Sequence, residues 1–213
     1  MRRPRASMGA KAAAAPVLLV AALTIAIMAP AQARILGVEH LDGLPGRLID
    51  APDQVFDDAV ASVTHVLGFD ERQNVRLERV LEVDDGKSIP PGAVVSSHML
   101  LFNLPDGAAG AWSRTRWTFD GPILGVMSDH GGRLEAASTP VLGAPGTAYP
   151  AAGFRYRGIE DQDGYEGVGT STLTLTLRVW QPGDWIRVVT GVLPVARIAT
   201  PDAQAVSMMP SAR

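Results

Sequence analysis

The stretch Ser171–Thr190 constrains the fold most. Leu173, Leu175, Leu177 and Val179 alternate with Thr172, Thr174, Thr176 and Arg178. A period of two sends alternate side chains to opposite faces of an extended strand, whereas a helix would scatter the same leucines around its circumference. Pro182-Gly183 follows as a turn pair, with Pro fixing φ and Gly accepting a positive φ, and Asp184–Thr190 returns. The pattern predicts a β-hairpin. With Gln181 and Asp184 closing the turn, Val179 faces Ile186 and Leu177 faces Val188 on the core side. On the outer side Trp180 meets Trp185, Arg178 meets Arg187, and Thr176 meets Val189.

Other segments read the same way. Asn74–Val83 places Val75, Leu77, Leu81 and Val83 on one face, with Arg79 and Val80 out of phase, which suggests a bulge. Ala93–Leu104 is a nearly continuous apolar run with β-branched residues, expected of a strand buried on both faces. Asp84-Asp85-Gly86 and Pro105-Asp106-Gly107 are turns. Thr115–Phe119, Pro122–Met127 and Phe154–Gly158 are expected as short strands. Residues 53–61 read as either a short helix or a loop before a strand at 60–67, and 138–153 as a long loop. Many short strands between Gly/Pro turns predict an all-β fold, an antiparallel β-sandwich or jelly roll.

The N-terminus reads as a targeting segment. Arg2, Arg3, Arg5 and Lys11 precede an apolar run over 12–29 broken only by Pro16 and Thr24, and Ala31-Gln32-Ala33 supplies a small-x-small cleavage motif. Met8 is an alternative start that keeps this pattern. Cleavage after Ala33 leaves a secreted or periplasmic chain beginning at Arg34. The alternative is an uncleaved anchor, since the run approaches the ~20 residues that span a bilayer, and this is the only membrane contact expected. The expected organisation is a signal peptide and its helix at 1–33, an irregular lead-in at 34–52, a β-sandwich at 53–195 and a flexible tail at 196–213.

Charge narrows the partners. Four of the 19 basic residues lie in the first 33 positions, leaving 15 against all 22 acidic residues, a balance of −7. An acidic body argues against nucleic acid, whose binding draws on Lys/Arg contacts to phosphate. The chain has no cysteine, which excludes disulfides, thiolate zinc sites, a cysteine nucleophile and a lipid-anchored cysteine.

Chemical motifs are sparse. There is no G-x-S-x-G, H-E-x-x-H, phosphate loop or G-x-G-x-x-G. Ser96, Ser97 and His98 lie inside the strongest buried strand, where Ser97 and His98 point to opposite faces, so they form no nucleophile elbow. Ser96 and His98 share a face, and His98 reads as a hydrogen-bonded core histidine. The densest acidic stretch, Glu160–Glu166, fails the EF-hand template, which would put Ile159 first and Thr170 twelfth. A different calcium site, built from Asp161, Asp163 and Glu166 with Asp84 or Asp85, is the one cofactor the acidic residues suggest. The outer hairpin face carries the candidate ligand site: Trp180 and Trp185 for stacking on sugar rings, Arg178 and Arg187 for hydroxyls or carboxylates.

FDERQNVRL (69–77), VVSSHMLLFN (94–103), TFDGPILGV (118–126) and PGDWIRVVT (182–190) occur in this order. Together they cover about residues 55–190 and resemble a group of exported bacterial β-rich proteins, many carrying a PEP-CTERM sorting tail. The resemblance implies an extracellular-matrix or surface protein of biofilm-forming bacteria and brings no catalytic residue. Residues 196–213 depart from it, lacking the Pro-Glu-Pro motif, the apolar helix and the terminal basic cluster.

The resulting expectation is a secreted, non-enzymatic β-sandwich that binds or contributes to extracellular material, with polysaccharide as the candidate ligand. A structural or adhesive surface protein without a small ligand is the second reading, and a hydrolase with a dispersed site the third. Exposure of both hairpin tryptophans would favour the first and their burial the second. A pocket joining His98 to a carboxylate would favour the third.

Overall fold

The computed structural model describes residues 33–151, 153–180 and 183–192. The expected signal segment, apart from Ala33, and the C-terminal tail lie outside these residues. In chain order the elements are β1 (Ile35–Gly43), β2 (Gly46–Leu48), β3 (Val66–Asp70), β4 (Val75–Arg76), β5 (Leu81–Glu82), β6 (Ser88–Ile89), β7 (Val94–Phe102), β8 (Ala111–Phe119), β9 (Ile123–Met127), α1 (Arg133–Leu142), β10 (Gly164–Glu166), β11 (Thr172–Val179) and β12 (Asp184–Gly191). No helix among the described residues is long and apolar enough to cross a membrane.

The fold is an all-β sandwich. One sheet runs β1-β8-β11-β10; the other runs β2-β3-β7-β12-β9, with β4 also on β7. Pairing is antiparallel except for β2 beside β3. Between the sheets, Trp117, Phe119, Leu173, Leu175, Leu177 and Val179 meet Val66, Leu100, Phe102, Ile123, Val126, Ile186 and Val188 in one buried cluster. Trp117 closes over Gly68, where a Cβ would overlap the indole.

The second sheet is buried on both faces. Leu67, Phe69, Met99, Leu101 and Trp185 point away from the sandwich core and are covered with Val55, Ala144, Tyr149 and Phe154. Val95, Met127 and Val189 continue this face beneath Leu142 of α1. Hence β7 shows the unbroken burial expected of Ala93–Leu104 from Val95 onward, and every residue of β12 is buried.

Several expectations change. The hairpin does not form: β11 pairs with β8 and β10, whereas β12 pairs with β7 and β9 in the opposite sheet. Gln181 and Pro182 of the expected turn lie outside the described residues. Leu177, Val179, Ile186 and Val188 do face the core, but the two strands meet face to face across the sandwich instead of edge to edge. Residues 34–52 are not an irregular lead-in, because β1 flanks β8 and β2 flanks β3. Two register shifts let β1 follow β8 despite its glycines. Asn74–Val83 is interrupted into β4 and β5 at the out-of-phase residues. The strand expected at 60–67 begins at Val66, and Phe154–Gly158 is turns rather than strand.

The expected loop at 138–153 begins inside a helix. Asp129 caps α1, its two carboxylate oxygens accepting the N–H groups of Arg133 and Leu134 at 2.9 and 2.8 Å. Gly132 enters the helix at φ 58°, and a Cβ there would collide with the Arg157 stem. Pro140 sits in the last turn. The face that α1 buries is Glu135, Ser138 and Leu142, spaced three and four apart.

Candidate functional site

The outward side chains of the first sheet form the most distinctive surface. On β11 they are Thr172, Thr174, Thr176 and Arg178, followed by Trp180; on β8 they are Trp112, Arg114 and Arg116. The β8–β11 register sets Arg178 opposite Trp112 and Thr176 opposite Arg114. Trp180 is 65% exposed and Trp112 41%. The Trp180 indole lies against Gly110, in space that a Cβ would fill. Gly110, Ala111, Trp112, Arg178 and Trp180 line a shallow depression of about 240 Å³. Arg178 Nη1 donates to Gln162 Oε1 at 2.9 Å, which holds the guanidinium at the border of this depression.

Arg178 and Trp180 also form one wall of a larger cleft of about 870 Å³, whose other walls include His130, Tyr156, Glu160, Asp163 and Asp184. Carboxylate oxygens of Glu160, Asp163 and Asp184 all lie within 4.8 Å of one another. Asp163 is fixed by two backbone donors, Glu160 N–H at 2.9 Å and Arg178 N–H at 2.6 Å. Asp184 opens β12, is only 2% exposed, and its Oδ2 has no hydrogen-bond partner among the described residues. Burial first, then the charges of Asp163 and Glu160, hold its carboxyl well above the usual carboxylate range. Burial and the Asp163 charge also raise Glu160, partly opposed by His130, whose Nδ1 is 3.8 Å from Glu160 Oε1.

The expected ligand site therefore splits. Arg178 and Trp180 stay on an outer face, but Trp185 and Arg187 point from the second sheet into the layer covered by α1. Trp185 is 0% exposed and donates its Nε1–H to the Val55 carbonyl at 3.0 Å. Arg187 is fully buried in an ion network. Trp112, not Arg187, sits opposite Arg178, because the true neighbour of Arg178 is on β8, sixty-six positions earlier. No local pattern signals a pairing over that distance.

The expected calcium set changes as well. Asp163 is retained, but Asp161 and Glu166 are outside the cluster. That cluster groups Asp163 with Glu160 and with Asp184, which comes from a distant strand. Asp84 is occupied otherwise: it accepts the Ser128 N–H at 3.0 Å, the Ser128 hydroxyl at 2.6 Å and the Tyr165 hydroxyl at 3.1 Å. Asp85 pairs with Lys87 on the surface.

His98 is joined to a carboxylate, though its imidazole is fully buried. Its Nδ1 lies 2.7 Å from Asp70 Oδ1 and its Nε2 3.0 Å from Thr190 Oγ1. Ser96 instead accepts the Asn74 N–H. This hydroxyl–imidazole–carboxylate chain has the connectivity of an activated nucleophile, but His98 and Thr190 are fully buried between the sheets. The chain ties β3, β7 and β12 together, as the reading of His98 as a bonded core residue anticipated.

Compared with known proteins, the sequence matches no family model, and no curated protein or solved structure matches it.

Proposed function

We propose that this protein is a secreted, non-enzymatic β-sandwich that binds extracellular polysaccharide through Trp112, Arg178 and Trp180. The observation that carries the reading is the pair of exposed tryptophans flanking an arginine on one sheet face. Exposed indole is costly in water, and two such rings beside a basic group mark a partner surface. Sugar rings present C–H faces that stack on indole, and a guanidinium donates to hydroxyls or to uronate carboxylates. The acidic body disfavours nucleic acid as the stacked partner. Export follows from the basic–apolar–AQA start, and a role in surface material agrees with the resemblance to PEP-CTERM-associated exported proteins.

The test is a glycan array and a retention assay on extracellular polymer, using wild type and the Trp112→Ala/Trp180→Ala variant. Both side chains are exposed, so the variant should keep the wild-type circular dichroism spectrum while losing retention. Equal retention of the folded variant would assign the face to a structural or adhesive role without a small ligand.

A further inference from the structure

We infer that Glu160, Asp163 and Asp184 form a divalent-cation site, with calcium as the ion. Two independent observations carry this. The three carboxylates converge within 4.8 Å, and a calcium ion with ligands at about 2.3–2.6 Å reaches oxygens about 4.6–5.2 Å apart across its shell. Separately, Asp184 is 2% exposed, lines the cleft, and leaves Oδ2 with no hydrogen-bond partner among the described residues. A carboxylate taken out of water without a donor is expensive unless a cation or a proton meets it.

The surrounding cations do not meet that need. His130 approaches Glu160 at 3.8 Å. The Arg178 guanidinium donates to Gln162. Asp161, also on the cleft wall, adds a fourth negative charge. A divalent ion would neutralise half of this charge and fill the coordination position facing Asp184. Three carboxylates are too few for calcium's 6–8 oxygens, and water from the open cleft completes the shell. Magnesium demands a tighter, near-octahedral arrangement at about 2.0–2.1 Å. One ligand here opens a buried strand and the other two sit on a turn, an arrangement that suits calcium's adaptable shell. The site shares Arg178 and Trp180 with the proposed sugar face, but the inference stands without any glycan.

The experiment uses chelator-treated protein titrated with CaCl₂ alone, read by calorimetry and by the thermal unfolding midpoint. Wild type should bind one calcium with a dissociation constant of about 10⁻⁴–10⁻³ M, typical of extracellular modules. Its midpoint should rise by about 3–6 °C at roughly ten times that concentration. Asp184→Asn should weaken binding at least tenfold and, without calcium, melt no lower than wild type, because it removes a repelled carboxylate. Glu160→Gln should weaken binding similarly. Glu39→Gln, the same charge change on β1, should not. No heat and no shift in wild type would overturn the site and leave a shared proton as the partner of Asp184. An equal shift with MgCl₂ would overturn the choice of calcium. Because no polysaccharide is present, either failure is separate from failure of the sugar-binding reading.

Discussion

Arg187 and Glu71 meet as a two-pronged ion pair beneath α1, with Nε to Oε2 and Nη2 to Oε1 each at 2.7 Å. Both side chains are fully buried. Arg187 Nη1 donates to the Glu135 carbonyl at 2.5 Å and to Ser138 Oγ at 2.6 Å, while the Glu135 carboxylate bridges Arg187 and Arg157. Two buried cations thus face two buried anions. Burial would lower the Arg187 pKa, but the charges of Glu71 and Glu135 outweigh it and keep the guanidinium protonated. The network joins the centre of the second sheet to the helix that covers it.

Breaking one side of this pair should be far costlier than replacing both. Glu71→Ala leaves Arg187 short of its main counter-charge, and an expected loss of about 3–5 kcal/mol follows. The double variant Glu71→Leu/Arg187→Met removes both charges and should recover most of that loss. Urea unfolding of the two variants checks this; equal losses would show that the pair is not desolvated as described.

The two tryptophans expected on one surface should part in their effects. Trp185→Ala empties a buried indole site between Met99, Leu101 and Phe154 and should cost about 3–5 kcal/mol. Trp180→Ala removes an exposed ring and should change stability by less than about 0.5 kcal/mol. Thermal or urea denaturation separates them, and comparable losses would contradict the placement of β11 and β12 in different sheets.

That separation also shows what was legible in the chain. Side-chain alternation told which residues of Thr172–Val179 face the core, because strand period is local. It did not tell which strands pair. A cue was present: β11 has a threonine or arginine at every second position and so one half-exposed face, whereas DWIRVVTG has little polar alternation and belongs in a sheet covered on both sides. Helix α1 was hidden for a different reason. Its buried stripe includes Glu135 and Ser138, which meet arginines rather than an apolar core, so hydrophobic periodicity carries little trace of it. The acidic trio draws two members from the conspicuous Glu160–Glu166 stretch, but Asp184 arrives only through the fold.

Leu177 and Thr176 test the alternation itself. Leu177 is fully buried in the inter-sheet core, while Thr176 faces outward beside Arg114. Leu177→Ala should cost about 2–4 kcal/mol through lost burial and the cavity left behind. Thr176→Ala should cost under about 1 kcal/mol, the span of strand propensity. Chemical denaturation of the pair decides it; equal losses would mean that β11 does not present these faces.

Tyr149 extends the buried network to its rim and should make stability fall at high pH. Its hydroxyl donates to Glu71 Oε1 at 2.6 Å and accepts the Ala144 N–H at 2.9 Å. Burial first, then the negative charge of Glu71, raise its pKa far above the ordinary tyrosine value of 10.0. In the folded chain Tyr149 therefore stays protonated at a pH where the unfolded chain releases that proton. The folded state then binds more protons than the unfolded state, so stability from this group is intact below pH ~10 and declines as pH rises beyond it. Tyr149→Phe removes the hydrogen bond to a charged acceptor, an expected cost of about 1.5–3 kcal/mol near neutral pH. It also removes the high-pH penalty, so the gap between the two proteins should narrow from pH 9 to 11. Tyr165, raised by burial and by Asp84, is present in both and cancels in the comparison. Urea unfolding at each pH measures the gap, and a gap that stays constant across this range would mean that Tyr149 ionises as readily in the folded chain as in the unfolded one.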